Sequence, residues 1–179
     1  MPLFWSGTPL IHYGFNLEAS WKNFDIYALL QGAGMYTVQF SEVYAEVLWS
    51  KGANTPAYFY DRWRKEDPYN PNSKWVAGKW PATRLIQDTG AMYKESNIWR
   101  RDASYLRLKT LELGYTLPDS ILRKSGISNI RFYINGYNLL TFCDSFVKAF
   151  DPEKVEGSYS AGMNYPLTKS FNIGFTANF

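Results

Sequence analysis

The chain has 179 residues, of which 46% are hydrophobic and 18% aromatic, and it carries a net charge of +3. That length allows one domain with a sizeable core, and the charge is too weak to argue for nucleic acid. The single cysteine, Cys143, excludes an internal disulfide framework and a multi-cysteine metal site.

No run of about 18 apolar residues is present, so no transmembrane helix is expected. Met1-Pro2-Leu3-Phe4 has neither the basic start nor the apolar stretch of a signal peptide. The expectation is therefore either a cytosolic chain or one whose natural N-terminal part is missing.

From Tyr13 to Trp21 the apolar positions Tyr13, Phe15, Leu17, Ala19 and Trp21 alternate with Gly14, Asn16, Glu18 and Ser20. After Lys22-Asn23 a second alternation sets Phe24, Ile26, Ala28 and Leu30 against Asp25, Tyr27, Leu29 and Gln31. Period two puts each set on one face of a strand, and a two-residue link makes the pair a tight hairpin over 13–21 and 24–34. Trp21 and Phe24 flank its tip, where an interfacial aromatic belt would lie.

Residues 35–103 are long, irregular and mixed. Glu42 to Leu48 allow a short helix over 41–50, and Tyr58 to Glu66 allow another, stopped at Asp67-Pro68. Five of the seven tryptophans lie here: Trp49, Trp63, Trp75, Trp80 and Trp99. A compact domain rarely holds a connection of this length without a functional reason.

A third strand is expected over 104–117. Its phase flips between Leu106, Leu108 and Leu111, Leu113, Tyr115. Either a bulge or a strand leaving the bilayer explains the flip. Asp119 to Gly126 allow one helical turn. A fourth strand spans 129–142, with Ile130, Phe132, Ile134, Gly136, Leu140 and Phe142 opposite Arg131, Tyr133, Asn135, Tyr137 and Thr141. The connection 143–166 is polar. A last strand, 167–179, alternates Phe171, Ile173, Phe175, Ala177 and Phe179 with Asn172, Gly174, Thr176 and Asn178.

Connections run short, long, short, long. In an antiparallel meander the two short ones then share one side and the two long ones the other. Outer-membrane barrels have that asymmetry, together with apolar-out, polar-in alternation and aromatic girdles. Five strands cannot close such a barrel, and an open edge in lipid leaves backbone groups unpaired. The expected fold is all-β: an antiparallel meander forming the C-terminal strands of a large transmembrane β-barrel, with long extracellular loops carrying short helices.

The stretch Ser104–Pro118 resembles the C-terminal region of SusC/RagA-type TonB-dependent transporters of Bacteroidetes. So do Ile127–Phe142, Phe150–Glu153, Tyr165-Pro166 and Phe171–Phe179. Tyr58–Pro68, with Asp61-Arg62-Trp63 at its centre, is similar to that family's long extracellular loop, and Tyr13–Leu17 with Phe24-Asp25 also matches. The resemblance implies a barrel of about 22 strands whose lumen is plugged. It also implies a SusD-like surface lipoprotein as lid, and import of oligosaccharides or peptides driven through TonB. The plug domain and the TonB-contacting segment have no counterpart here. The remaining partners implied are the rest of the barrel and outer-membrane lipid. The closing Phe171, Ile173, Phe175 and Phe179 resemble the signal by which the outer-membrane machinery recognises its clients.

Candidate substrate-binding residues are Arg62, Trp63, Arg64, Trp75 and Trp80, since an aromatic face suits the C–H face of a pyranose. The same aromatics also suit a small loop core or a contact with the lid. Arg131, Tyr133, Asn135 and Tyr137 are expected to face the lumen, toward a plug or a substrate. Asp144, Asp151, Glu153 and Glu156 read as a solvated acidic loop without calcium-binding spacing.

No catalytic residue, metal site or cofactor is expected. His12 is the only histidine, and Ser158-Tyr159-Ser160-Ala161-Gly162 lacks the first glycine of a nucleophile elbow. Two other readings remain: a soluble carbohydrate-binding β-sandwich, and a non-transporting barrel piece serving as scaffold or adhesin.

Overall fold

The computed structural model describes residues 7–40, 55–83, 96–123, 126–154 and 164–179. Five long strands form one antiparallel sheet: β1 (Ile11–Trp21), β2 (Phe24–Gly34), β7 (Tyr105–Thr116), β8 (Asn129–Phe142) and β9 (Ser170–Asn178), in the order β1-β2-β7-β8-β9. Among the described residues between β2 and β7 lie four short strands: β3 (Thr37–Gln39), β4 (Arg64–Lys65), β5 (Trp75–Val76) and β6 (Arg100–Asp102). The five long strands sit where the period-two pattern puts them. β9 starts at Ser170, later than the expected 167, after an extended lead-in.

The register sorts side chains completely. Trp21 pairs with Phe24, Phe24 with Tyr115, Tyr115 with Phe132, and Phe132 with Phe175. Five aromatics, one per strand, thus form a single row beside the short turns. The next row is aliphatic: Ala19, Ile26, Leu113, Ile134 and Ile173. Leu17, Ala28, Leu111, Gly136 and Phe171 follow.

Nothing among the described residues covers this face. Phe171 is 75% exposed, Ile173 87% and Phe175 67%. Alternate positions give a polar face, with Glu18, Tyr27, Glu112, Asn135 and Asn172 in one row.

Between Leu29 and Leu30 the pairing of β2 with β7 slips, and Lys109 is the extra residue on β7. Opposite it, β8 carries Asn138 and Leu139. The phase flip read in the sequence is therefore a bulge: Leu106 and Leu108 stay on the apolar face with Leu111 and Leu113. Asn138 absorbs the strain at φ 55, a conformation asparagine tolerates better than most residues, and its amide donates to the Thr168 carbonyl at 3.0 Å.

Both short connections lie at one end. Lys22 turns the first hairpin at φ 56, and Asn23 donates to the Thr116 carbonyl at 2.8 Å, clipping that turn to β7. The second carries α1 (Asp119–Leu122), one helical turn after Pro118.

The long connections meet at the other end and share a core. Phe40, Phe59, Trp80 and Trp99 from the first pack with Val147, Phe146 and Phe150 from the second. Ring pairs close it: Trp80 stacks on Trp99 at 5.2 Å, and Phe40 meets Phe146 edge-on at 5.0 Å. The helix expected over 58–66 is only a 3-10 turn, Ala57–Asp61, because Arg62 goes extended to bridge Trp80. Gly78 permits that approach, since a Cβ there would strike the Arg62 backbone. The helix expected over 41–50 lies outside the described residues.

The second connection carries α2 (Ser145–Lys148), which the sequence reading missed; Asp144 caps it by accepting from the Phe146 and Val147 amides. Asp151 and Glu153 are not solvated loop carboxylates, which corrects the expectation for these two residues. Asp151 accepts from Arg107 Nη2 at 2.5 Å, with both side chains 4% exposed. Glu153 takes Arg107 Nη1 at 2.8 Å and Lys109 Nζ at 2.7 Å. The Leu167 amide donates to Asp151 Oδ2 at 2.8 Å, and Tyr36 donates to the Pro152 carbonyl at 2.6 Å. Asp151 holds φ 64 to make these bonds. Glu156 lies outside the described residues.

Two substitutions probe this packing. Gly114 faces the Arg131–Asp25 pair, and a Cβ there would collide with both, whereas one at Gly14 meets only the Leu30 carbonyl at ordinary distance. Gly114→Val is expected to destabilise by about 2 kcal/mol and Gly14→Val by much less, read from urea unfolding followed by tryptophan fluorescence. Arg107→Met leaves Asp151 buried without its counter-charge and is expected to cost about 3–5 kcal/mol. Lys109→Met, at a partly exposed pair, is expected to cost about 1 kcal/mol or less in the same titration.

Candidate functional site

Two groups of side chains carry chemistry, one on the polar face and one at the long-connection end. The hydrogen-bonded network on the polar face is built by β2, β7, β8 and β9. Arg131 on β8 forks between two neighbouring strands. Its Nε donates to Asp25 Oδ1 at 3.0 Å, its Nη2 bonds Asp25 Oδ2, and the same Nη2 reaches Glu112 Oε1 at 2.8 Å. Asn135 donates to Glu112 Oε2 at 3.1 Å, and Asn172 donates to Asn135 Oδ1 at 3.0 Å. Bidentate guanidinium–carboxylate contact fixes direction as well as charge, so the network pins four strands in register.

Tyr133 lies over Gly174, with the Arg131 guanidinium 5.5 Å from its ring. Tyr137 stands exposed opposite Thr110 and Ser170. Arg131, Tyr133, Asn135 and Tyr137 thus share one face, as their alternation requires. Their partners Asp25 and Glu112 were not singled out from sequence. The available signal was a single carboxylate in the polar phase of each strand, Asp25 among Tyr27, Leu29 and Gln31, and Glu112 among Thr110, Gly114 and Thr116.

The long-connection end presents a small ribbon. β4 and β5 pair through Arg64 with Val76 and Lys65 with Trp75. Its turn is closed by Asp67 accepting from the Tyr69 amide at 2.9 Å and by Lys65 donating to the Ser73 carbonyl at 2.7 Å. Lys65 also sits 4.8 Å from the Trp75 ring.

The five candidate ligand residues separate here. Trp63 is 45% exposed, Trp75 is 56% exposed and Arg64 is exposed. Arg62 is half-buried and donates to the Phe59 carbonyl at 3.1 Å. Trp80, 3% exposed, packs between Tyr58, Phe59, Trp99 and Phe146, so its ring serves the loop core. Phe171, Ile173 and Phe175 project from the apolar face of β9, and Phe179 follows it, exposed.

Among the described residues no three His, Cys, Asp or Glu side chains gather as a metal would need. Cys143 follows β8 beside the loop core, where burial pushes its thiol above the ordinary value and away from nucleophilic chemistry.

Two curated relatives match nearly the whole chain. TonB-dependent receptor P3 of Formosa agariphila is 32% identical over 183 residues, covering 96% of this chain. TonB-dependent receptor P26 of the same organism is 29% identical over 189 residues, covering 97%. The chain spans only 16% and 17% of their respective lengths. No family model matches.

Among solved structures, the RagAB peptide transporter superposes with a TM-score of 0.68 at 27% identity, over 96% of this chain and 18% of that one. The RagAB peptide importer in its open-open state gives 0.68 at 26% identity, over 98% and 18%. The uncovered apolar face, the polar face and the sorted connections are thus explained together: over nearly its whole length the chain matches an antiparallel barrel segment of TonB-dependent receptors of the SusC/RagA type.

Proposed function

We propose that this chain is part of the wall of an outer-membrane importer that takes up oligosaccharides or peptides with a SusD-like lipoprotein as lid and TonB as energy source. The carrying observation is the row of Trp21, Phe24, Tyr115, Phe132 and Phe175, followed at once by an all-aliphatic row. Amphipathic rings belong at the level of lipid headgroups and aliphatic chains belong in the hydrocarbon.

From Trp21 to Tyr13 the strand runs about 26 Å, or about 20 Å after a tilt of about 40°, which approaches the apolar band of about 25 Å in such barrels. The polar face then lines the lumen. The short turns face the periplasm, and the ribbon bearing Trp63, Arg64 and Trp75 stands at the outer entrance, where cargo and lid both pass. A soluble sandwich needs a second layer over the apolar face, and no described residue supplies one. RagAB, named as a peptide transporter and importer, supports the same class of work.

The test is asymmetric tolerance of charge in the complete transporter. Ile134→Arg and Ile173→Arg are expected to cost about 2–4 kcal/mol in vesicle unfolding titrations, with Asn172→Arg nearly neutral. Equal costs on both faces would overturn the lipid-facing assignment. Removing Phe179 is expected to lower the amount of protein in the outer membrane. Trp63→Ala with Trp75→Ala is expected to weaken uptake or lipoprotein capture while leaving barrel insertion unchanged; normal uptake with normal capture would remove the ribbon from the entrance.

A further inference from the structure

Arg107 lies opposite Gln31 and Thr141, on the polar face of the sheet, and its Nε donates to Thr141 Oγ1 at 3.0 Å. The residues that bury it come from the connection between β8 and β9. Asp151 and Glu153 take its two terminal nitrogens, and the Leu167 amide on the returning leg bonds the same Asp151 carboxylate. The two legs are tied to each other as well, Asn164 donating to the Lys154 carbonyl at 2.8 Å.

A connection at the rim of a wall can lean outward, stand upright or fold back over the inner surface. These contacts require the last. The bulge at Lys109 serves the same end. It lets Lys109 join Arg107 in holding Glu153 while Leu106, Leu108 and Leu111 all stay on the apolar face.

We propose that the described legs of this connection, residues 143–154 and 164–169, form a strap held inward over the barrel mouth by Arg107 and Lys109, and that this strap sets the upper size of what reaches the wall beneath it. The inference rests on reading the polar face as the lumen wall. The buried Arg107–Asp151 pair, with the Leu167 amide on the other Asp151 oxygen, makes the strap a fixed constriction. Glu153 and Lys109, partly exposed, form its weaker edge.

The experiment uses the complete transporter with its lipoprotein in intact cells, in a Cys143→Ser background. A reporter thiol, Thr110→Cys, sits on the polar face just below the clamp. Two external reagents are compared: a small charged maleimide and a 5-kDa polyethylene-glycol maleimide, a size chosen to be roughly that of a bulky solute. With the strap intact, the small reagent is expected to label and the large one to be excluded.

Asp151→Asn with Glu153→Gln is expected to raise the large-to-small labelling ratio at least about tenfold, since a buried cation then loses both its counter-charges. Lys109→Gln leaves the buried pair in place and is expected to raise the ratio about twofold. It also decides the matter should the double variant fail to reach the membrane. Unchanged ratios in whichever variants insert would overturn the strap. A second reporter, Ile134→Cys on the apolar face, separates that failure from failure of the underlying reading: ready labelling there by the charged maleimide would mean that the face is wet, and that the lumen assignment itself is wrong.

Discussion

Everything in this wall follows from the hydrogen-bond register between neighbouring strands. Side chains alternate across a strand, so a slip of one residue between any two of the five would send an apolar set to the polar face and a carboxylate in among the aliphatic rows. Arg131 guards against that slip. It grips Asp25 and Glu112, on β2 and β7, from β8, and the amide chain through Asn135 to Asn172 extends the hold to β9. Gly114 and Gly174 leave the space in which the guanidinium and the Tyr133 ring lie flat against the sheet. A hydrogen-bonded polar face and a row-ordered apolar face are therefore one arrangement seen from two sides.

The strands were legible because their signal is local. Phe171 to Phe179 announce a one-sided strand without knowledge of any neighbour. The hairpin at Lys22-Asn23 needs only two alternations and a two-residue gap. Even the bulge left its mark as a phase flip near Lys109, although the sequence could not choose between a bulge and a strand leaving the bilayer.

What remained illegible was non-local. Asp151 and Glu153 look like loop carboxylates until Arg107 and Lys109, some 44 residues earlier, fold beneath them. Trp80 and Trp63 look alike in sequence, yet Trp80 closes the loop core, whereas Trp63, whose amide donates to the Trp80 carbonyl, keeps its ring partly in solvent. The 58–66 helix failed for the same reason: a distant bridge to Trp80 overrode a local preference for helix.

The two long connections behave as one body. Tyr36, just past β2, bonds Pro152, and Phe40 packs on Phe146 and Phe150, so neither connection can shift without the other. That body sits above a wall whose strands are not equally long at its level. Between the same two apolar rows β2 advances from Ala28 to Leu30, β7 from Leu111 to Leu108, and β8 from Gly136 to Leu140. Each strand spends one more residue than the one before it. The surplus backbone has to coil, as bulged strands do. The sheet consequently twists more steeply at its β8 side than at its β1 side, directly beneath the joined connections.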